Sequence, residues 1–133
     1  MNYPFVLENN QFRVEVQTLF DFNQSNPLQF QYLFRYTILI TNIGQKDAQL
    51  LFRKWNIKDA KGNIKVVEGP GVIGQTPYFK PGQSFEYSSF CPLSTMTGEM
   101  SGHFNMVDRE GKPFQIETPI FKFSVPQEYI DIY

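Results

Sequence analysis

The sequence predicts an all-β protein, an antiparallel β-sandwich of about seven to eight strands. Segments in which apolar and polar residues alternate recur along the chain, and a period of two is that of strands with one buried face. Turn signals rich in Gly, Asn and Asp separate these segments at intervals of about ten residues. Hydrophobic residues make up 41% and aromatic residues 17% of the chain, a composition typical of strand-rich domains. Only the tail PQEYIDIY has a helical period.

The first two predicted strands alternate most clearly. In FRVEVQTLF, residues 12–20, apolar side chains and Thr18 alternate with Arg13, Glu15 and Gln17. The second segment, residues 30–40, is long and has a clear inner face. That face carries Phe30, Tyr32, Phe34, Tyr36, Ile38 and Ile40. The strand is expected to end at the turn TNIG.

The third predicted strand, AQLLFRKWNIK, carries a charge in its apolar phase. Leu51, Trp55 and Ile57 are in phase, and Arg53 lies between them. We expect the guanidinium to stack on an aromatic ring or to pair with a carboxylate such as Glu86. If the second and third strands are neighbours, a basic strip is expected, formed by Arg35, Arg53, Lys54 and Lys58.

Two hairpins and two further strands complete the predicted sandwich. DAKGN should turn the chain into NIKVV, and DREGK should join HFNMVD to PFQIE, because Asp, Asn and Gly tolerate positive φ. GQSFEYSSF lies between these hairpins and PIFKFSV closes the chain. We expect one domain over residues 1–133 with its core at about 11–125, and loosely held first ten and last eight residues.

Bulk properties exclude several partners and locations. The net charge is −1, from 12 basic and 13 acidic residues, so no global field attracts nucleic acid or an anionic membrane. A lone Cys91 cannot form an internal disulfide, and MNYPFVLENN lacks the features of a secretory signal. The longest apolar runs are too short to cross a bilayer. We expect a cytoplasmic protein without nucleic-acid or membrane partners.

Several motifs together resemble those of bacterial ApaG proteins. They are LLFRKW, KDAKGN, GPGVIG, KPGQSFEYSSFCPLSTMTGEMSGHFNMVD and REGKPFQIETPIF, and they occur in the family's order between Arg13 and Phe123. The resemblance implies a fold similar to fibronectin type III and immunoglobulin domains. It also implies a loose association with cobalt resistance and magnesium efflux. Similar domains in eukaryotic F-box proteins and in a protein that interacts with a DNA polymerase favour partner binding, and no catalytic residues carry over.

The stretch EGPGVIGQ has the glycine spacing of phosphate-binding loops, with Gly69, Gly71 and Gly74 in G-x-G-x-x-G. A dinucleotide site needs a helix after the glycines, but Pro77 and Pro81 follow, and no Walker Gly-Lys-Ser/Thr is present. The favoured interpretation is a set of sharp turns where a strand switches sheets. The alternative is an anion or nucleotide site formed by these glycines with Lys80 and Arg53.

The sequence offers few candidate residues for nucleophilic catalysis or for metal binding. A Cys91–His103 dyad has no third residue to orient the base, and strand phase places His103 opposite Phe104. One His and one Cys do not make a transition-metal site. The carboxylates of Asp21, Asp59 and Asp108 fall in loops or turns, where Asp usually bonds its own backbone. We expect no catalytic residues, no metal ligands and no cofactor.

One apolar stretch, VIGQTPYFKPG, offers a candidate partner surface. Val72, Ile73, Tyr78 and Phe79 bind a partner if exposed, or cap the open end of the sandwich if folded back. The favoured function is a non-enzymatic module that binds a protein partner, including a second copy in a homodimer. The competing hypothesis is a small-anion or nucleotide (pyrophosphate) binder, and the least favoured is a hydrolase of phosphorylated substrates.

Overall fold

In the computed structural model, which describes residues 2–131, ten strands form two antiparallel sheets that pack face to face. The predicted all-β sandwich is confirmed. Its closer likeness to fibronectin type III and immunoglobulin domains stays a prediction. The strands are β1 (Phe5–Asn9), β2 (Phe12–Phe20), β3 (Tyr32–Asn42), β4 (Ala48–Asp59), β5 (Ile64–Pro70), β6 (Tyr78–Phe79), β7 (Ser84–Leu93), β8 (Thr97–Asp108), β9 (Pro113–Glu117) and β10 (Phe121–Ser124).

The first sheet has the order β1-β2-β3-β7. Its β2 and β3 pair without a break from Phe12 opposite Asn42 to Phe20 opposite Phe34. An uninterrupted register keeps the predicted phase, because a slip of one residue would turn every side chain to the other face. Val14, Val16 and Ile38 are accordingly buried.

The second sheet has the order β10-β8-β4-β5, with β9 paired to β8 and β6 paired to β4. Both predicted hairpins, β4–β5 and β8–β9, are confirmed. Trp55 of β4 holds the two sheets together at the centre of the core. Its ring meets Tyr36 of the first sheet edge-on at 6.0 Å, and Phe104 and Phe121 of its own sheet at 5.7 and 5.8 Å.

Two predicted strands differ from their sequence pattern. Strand β3 begins at Tyr32, because a 3₁₀ turn over Pro27–Gln29 ends with Phe30 at φ 55°, and Phe30 is exposed instead of sharing the inner face. In β4 a bulge between Leu50 and Phe52 shifts the phase, so that Leu50 is buried and Leu51 is exposed. Beyond the bulge, the predicted common phase of Arg53 and Trp55 holds.

The predicted basic strip does not form, because β3 and β4 belong to different sheets. Arg35 lies on β3, with its guanidinium 3.9 Å from Asp21 and 5.0 Å from the ring centre of Phe90. The chain crosses from one sheet to the other after Asn42. The buried side-chain amide of Asn42 donates to the carbonyls of Lys46 and Phe79, and its oxygen accepts from the N–H of Gly44. These bonds hold the crossing in place.

The ends of the chain are more structured than the sequence indicates. Phe5–Asn9 forms β1 along β2, a strand that the sequence pattern does not reveal, and Gln127–Ile130 forms a short helix, α1. Met1, Ile132 and Tyr133 lie outside the described residues, so part of the predicted loose ends and of the helical tail falls there. Among residues 2–131, no helix has the length and apolar character needed to span a bilayer.

Candidate functional site

The glycine stretch folds as a tight turn beside β4. Val72 and Gln75 exchange two backbone hydrogen bonds of 2.8 and 2.9 Å, and between them Ile73 and Gly74 have φ of 43° and 78°. Two successive positive φ values define a type I′ turn. The predicted turn role is confirmed for Gly71 and Gly74, but not for Gly69, which lies in β5 without a positive φ. The predicted switch of sheets is wrong, because β5 before the turn and β6 after it both pair with β4.

Three backbone N–H groups of this stretch are engaged within the protein. Gly71 N–H donates to the carbonyl of Leu51 at 2.7 Å, and the N–H groups of Val72 and Gln75 bond each other's carbonyls. A phosphate-binding loop needs several N–H groups that point together toward the ligand. Three of the donors that such a site would use already have partners in the backbone.

Arg53 faces carbonyl groups of the same stretch. Its Nη1 donates to the carbonyls of Pro70 at 3.0 Å and Gly71 at 2.9 Å. Gly69 lies opposite Arg53 in the β4–β5 register, and a Cβ at Gly69 would approach Nη1 to 3.3 Å. The predicted pairing of Arg53 with Glu86 is wrong: neither residue is among the ion pairs of residues 2–131, and the Glu86 carboxylate accepts a hydrogen bond from the Tyr3 hydroxyl.

Lys80 lies apart from the other residues of the predicted anion site. It follows Phe79, which pairs with Ala48 at the start of β4, five residues before Arg53. At a strand rise of about 3.3 Å per residue, this separation is roughly 15 Å. The structure therefore brings Arg53 to Gly69 and Gly71 through carbonyl contacts, and does not bring Lys80 to them.

The candidate nucleophile and base are held apart. Cys91 lies in β7 of the first sheet with its side chain buried, whereas His103 lies in β8 of the second sheet, in the phase opposite the buried Phe104. Burial raises the pKa of the Cys91 thiol to about 11. A thiol with so high a pKa is protonated and weakly nucleophilic at neutral pH.

The aspartates act within their own turns, as predicted. Asp59 Oδ1 accepts the N–H groups of Lys61 and Asn63 at 2.9 and 3.0 Å, and Asp21 Oδ1 accepts the N–H of Gln24. Asp108 repeats the arrangement of Asp59 in the β8–β9 hairpin. Across the described part of the chain, no group of three or more His, Cys, Asp or Glu side chains is placed to hold a metal ion.

The four candidate partner residues divide into two pairs. Val72 and Phe79 are buried in the core, so they follow the capping alternative and are not available to a partner. Ile73 is 54% exposed and Tyr78 is 50% exposed. Binding through these two side chains stays a prediction.

Further exposed apolar residues lie beside Ile73 and Tyr78, at the β4 bulge. Leu51 and Phe52 are exposed there, and Phe52 lies opposite the exposed Pro70 in the β4–β5 register. The Gly71–Leu51 hydrogen bond joins the turn to the bulge, and Tyr78 lies opposite Gln49 just before it. We call this set the bulge surface: Leu51, Phe52, Pro70, Ile73 and Tyr78.

The sequence pattern does not reveal a concavity at one end of the sandwich, which we call the end cavity. It has a volume of about 470 Å³ and is lined by the β1–β2 turn, the β3–β4 connection and the β8–β9 hairpin. Phe12 and Phe114 form its aromatic wall, and Lys46 and Lys112 contribute its cations. Its residues come from segments that are distant in sequence, so only their tertiary arrangement brings them together.

Comparisons with known proteins point consistently to one family. The sequence profile of the ApaG domain matches residues 22–108. The Protein ApaG of Nitrosomonas eutropha is 44% identical over 115 residues, which cover 86% of this chain and 91% of the relative. That of Klebsiella pneumoniae is 40% identical over 113 residues, covering 85% and 90%. A crystal structure of a Bordetella pertussis protein described as ApaA superposes with a TM-score of 0.85 at 40% identity, covering 87% and 94%.

Proposed function

The chain belongs to the ApaG family, and we propose that it acts as a non-enzymatic module whose bulge surface binds a protein partner. The observation that carries the proposal is the conformation of Ile73. At φ 43° it occupies the left-handed region, at the tip of a turn, with more than half of its surface exposed. Glycine and asparagine are the residues that suit such a position, and a β-branched side chain there is an outlier.

The unfavourable conformation of Ile73 has a cost in the free protein. A left-handed conformation costs an L-residue about 1–2 kcal/mol, and exposure adds no hydrophobic burial in return. Outliers of this kind cluster at functional sites, where contact with a partner offsets them. A turn tip that carries a strained apolar side chain is therefore expected to insert that side chain into a partner.

The neighbours of Ile73 fit this function. Phe52 of β4 is 47% exposed, and Tyr78 of β6, the strand paired with the start of β4, is 50% exposed. Aromatic side chains dominate the binding energy of protein interfaces. Tyr78 is also oriented, because its hydroxyl donates to Asp47 at 2.9 Å. Contiguous exposed apolar groups of this kind typically mark interaction sites.

The absence of catalysis is part of the proposal. The buried, protonated thiol of Cys91 and the separation of His103 in the other sheet support a binding role over a hydrolytic one. In this proposal, the family's loose association with cobalt resistance and magnesium efflux is indirect: the partner protein, not this chain, interacts with the metal ion. A cytoplasmic location, predicted from the sequence, is part of the same proposal.

Ile73→Asn tests the proposal because it separates binding from folding. Asn tolerates positive φ, so the unfolding free energy should rise by about 1 kcal/mol while the apolar contact is lost. Denaturant unfolding measures the first effect. Capture from a lysate of the source organism, with the parent chain and the variant side by side, measures the second. We expect a protein that the parent chain retains and Ile73→Asn loses.

Ile120→Asn is the matched control. Ile120 is 57% exposed but lies next to β10, at the other edge of the second sheet from β5. This control should retain the same protein as the parent chain. If Ile73→Asn retains it equally, the bulge surface is not the binding site. Sedimentation velocity of the parent chain would identify a second copy as the partner.

A further inference from the structure

We propose that the end cavity binds a small molecule that joins a flat apolar group to an anionic group, such as an aromatic carboxylate or phosphate. This inference goes beyond the proposed protein-binding function and concerns the end of the sandwich where β3 crosses to β4. The cavity volume of about 470 Å³ lies within the range of ligand pockets, about 300–1,000 Å³.

The apolar part of the ligand is inferred from the aromatic wall. The rings of Phe12 and Phe114 are 6.2 Å apart with an angle of 36° between their planes. Phe12 is buried and is held from behind by Phe79, whose ring meets it edge-on at 5.5 Å. Because Phe12 is 2% exposed, a flat group can stack only on the half-buried ring of Phe114, which packs against the core through Phe12, so little side-chain ordering is needed.

The rim of the cavity is preformed. The N–H of Ile43 donates to the carbonyl of Gln11 at 2.9 Å, which ties the β1–β2 turn to the β3–β4 connection. Gly44 lies so close that a Cβ there would approach Cβ of Gln11 to 2.6 Å. Asn10 and Gln11 both have positive φ, at 48° and 67°. These values fit a two-residue type I′ turn, which is common in β-hairpins, and its contacts with Ile43 and Gly44 fix it at the rim of the cavity.

The anionic part is inferred from which charged groups of the lining are engaged. The lining carboxylates have donors already: Asp47 Oδ2 accepts the Tyr78 hydroxyl at 2.9 Å, and Asp108 Oδ1 accepts the N–H groups of Glu110 and Lys112 at 2.9 Å. Lys46 and Lys112 are exposed, and neither is among the ion pairs found in residues 2–131. The lining has no net formal charge, but its two ammonium groups are exposed and unpaired within the described residues while one oxygen of each carboxylate is engaged, so the polar contacts left open favour a ligand with an anionic head.

The test uses phenyl phosphate as the probe, with benzylamine and inorganic phosphate as comparisons. Each is titrated against the full chain while the thermal midpoint and the backbone amide NMR signals are followed, because a ligand that binds the folded state raises the midpoint. We expect phenyl phosphate to raise the midpoint at millimolar concentration and to shift the amide signals of Phe12, Ala48 and Phe114. Benzylamine and inorganic phosphate should each bind at least about tenfold more weakly than phenyl phosphate.

Charge variants locate the binding. Lys46→Met and Lys112→Met should each weaken phenyl phosphate binding by about fivefold to tenfold. Lys122→Met removes the same charge from the exposed Lys122 of β10, outside the cavity, and should leave the affinity unchanged. All three positions are on the surface, so the variants should fold. Any one of four results would overturn the proposal. Two concern affinity: equal weakening in all three variants, or tighter binding of benzylamine than of phenyl phosphate. The other two are signal shifts confined to residues 71–75 and no response at 10 mM phenyl phosphate.

Discussion

Gly71 and Gly74 both have positive φ, at 60° and 78°, yet their surroundings differ. A Cβ at Gly71 would lie 2.3 Å from the carbonyl oxygen of Gln75, whereas a Cβ at Gly74 would have nothing within 4 Å. One glycine is required by both conformation and space, and the other by conformation alone. The two positions therefore distinguish two requirements for glycine within one turn, the positive φ and the lack of space for a Cβ.

Alanine at each position measures the difference. Gly74→Ala should lower the unfolding free energy by about 1 kcal/mol, the cost of a left-handed Ala. Gly71→Ala should lower it by clearly more than that, because the backbone around Gln75 must also move. Urea unfolding of both variants provides the comparison. Equal losses would mean that the turn has room for a side chain at position 71.

At the scale of the elements, the predicted alternation and turn residues locate most of the strands and both hairpins. The prediction fails where the geometry departs from regular pairing: the β4 bulge changes the face of Leu51, and the turn that ends at the left-handed Phe30 removes residues 30 and 31 from the start of β3. Strand β6 has two residues, too short for a period to show, and β1 begins with the unbroken apolar run of residues 5–7 instead of an alternation. Sequence pattern carries no signal for such features, because tertiary pairing determines them.

The candidate site also has some features that the sequence predicts and others that it does not. The glycine spacing and the Pro residues after it predict a turn and exclude the familiar nucleotide folds. The left-handed Ile73 could not be predicted, because β-branched residues disfavour that conformation. The partner of Arg53 was also outside the reach of the pattern, since the carbonyls of Pro70 and Gly71 approach it only after β5 has paired with β4.

The β4–β5 hairpin has a titratable turn. Desolvation raises the pKa of Asp59, but hydrogen bonds from Asn63 and Lys61 and the charge of Lys61 outweigh it and hold the pKa below its ordinary value. A lowered pKa in the folded state means that the ionised carboxylate stabilises the turn above the unfolded-state pKa, near 4. This contribution is lost as the pH falls from about 4 through the lower folded-state pKa.

Asp59→Asn tests this contribution, since Asn accepts hydrogen bonds through its amide oxygen but does not titrate. The parent chain should be more stable than the variant at pH 6, and the difference should shrink as the pH falls below about 4. Chemical unfolding at pH 6, 4 and 3 gives the three values. A difference that stays constant over this range would show that the carboxylate charge plays no part in the turn.

For the whole molecule, the two sides of the sandwich are closed differently. On the β1 side, Asn9 exchanges two hydrogen bonds with the backbone of Glu117, of 3.0 and 2.7 Å, and so covers the edge of β9 as a strand would. On the other side, β7 and β5 are the outer strands of their sheets. Tyr87 of β7 is buried, and its hydroxyl has no hydrogen-bond partner within the described residues. Opening of the molecule is therefore expected on the β5–β7 side.

Cys91 reports on that opening and on alkaline stability. Burial raises its pKa from 9.0 to about 11, so the protonated thiol stabilises the folded state fully below pH 9, and this contribution is lost as the pH rises through 11. The unfolding free energy of the parent chain relative to Cys91→Ala should fall by about 2 kcal/mol between pH 8 and pH 11. The buried tyrosines titrate in the same direction and are present in both proteins, so the comparison removes most of their contribution; the part that stays coupled to the thiol is the rise that the Cys91 charge causes in the pKa of Tyr36. At pH 8 the native thiol should react with a disulfide reagent only when β7 separates from the core, and a rate matching that of a free thiol would contradict the packing described for this edge.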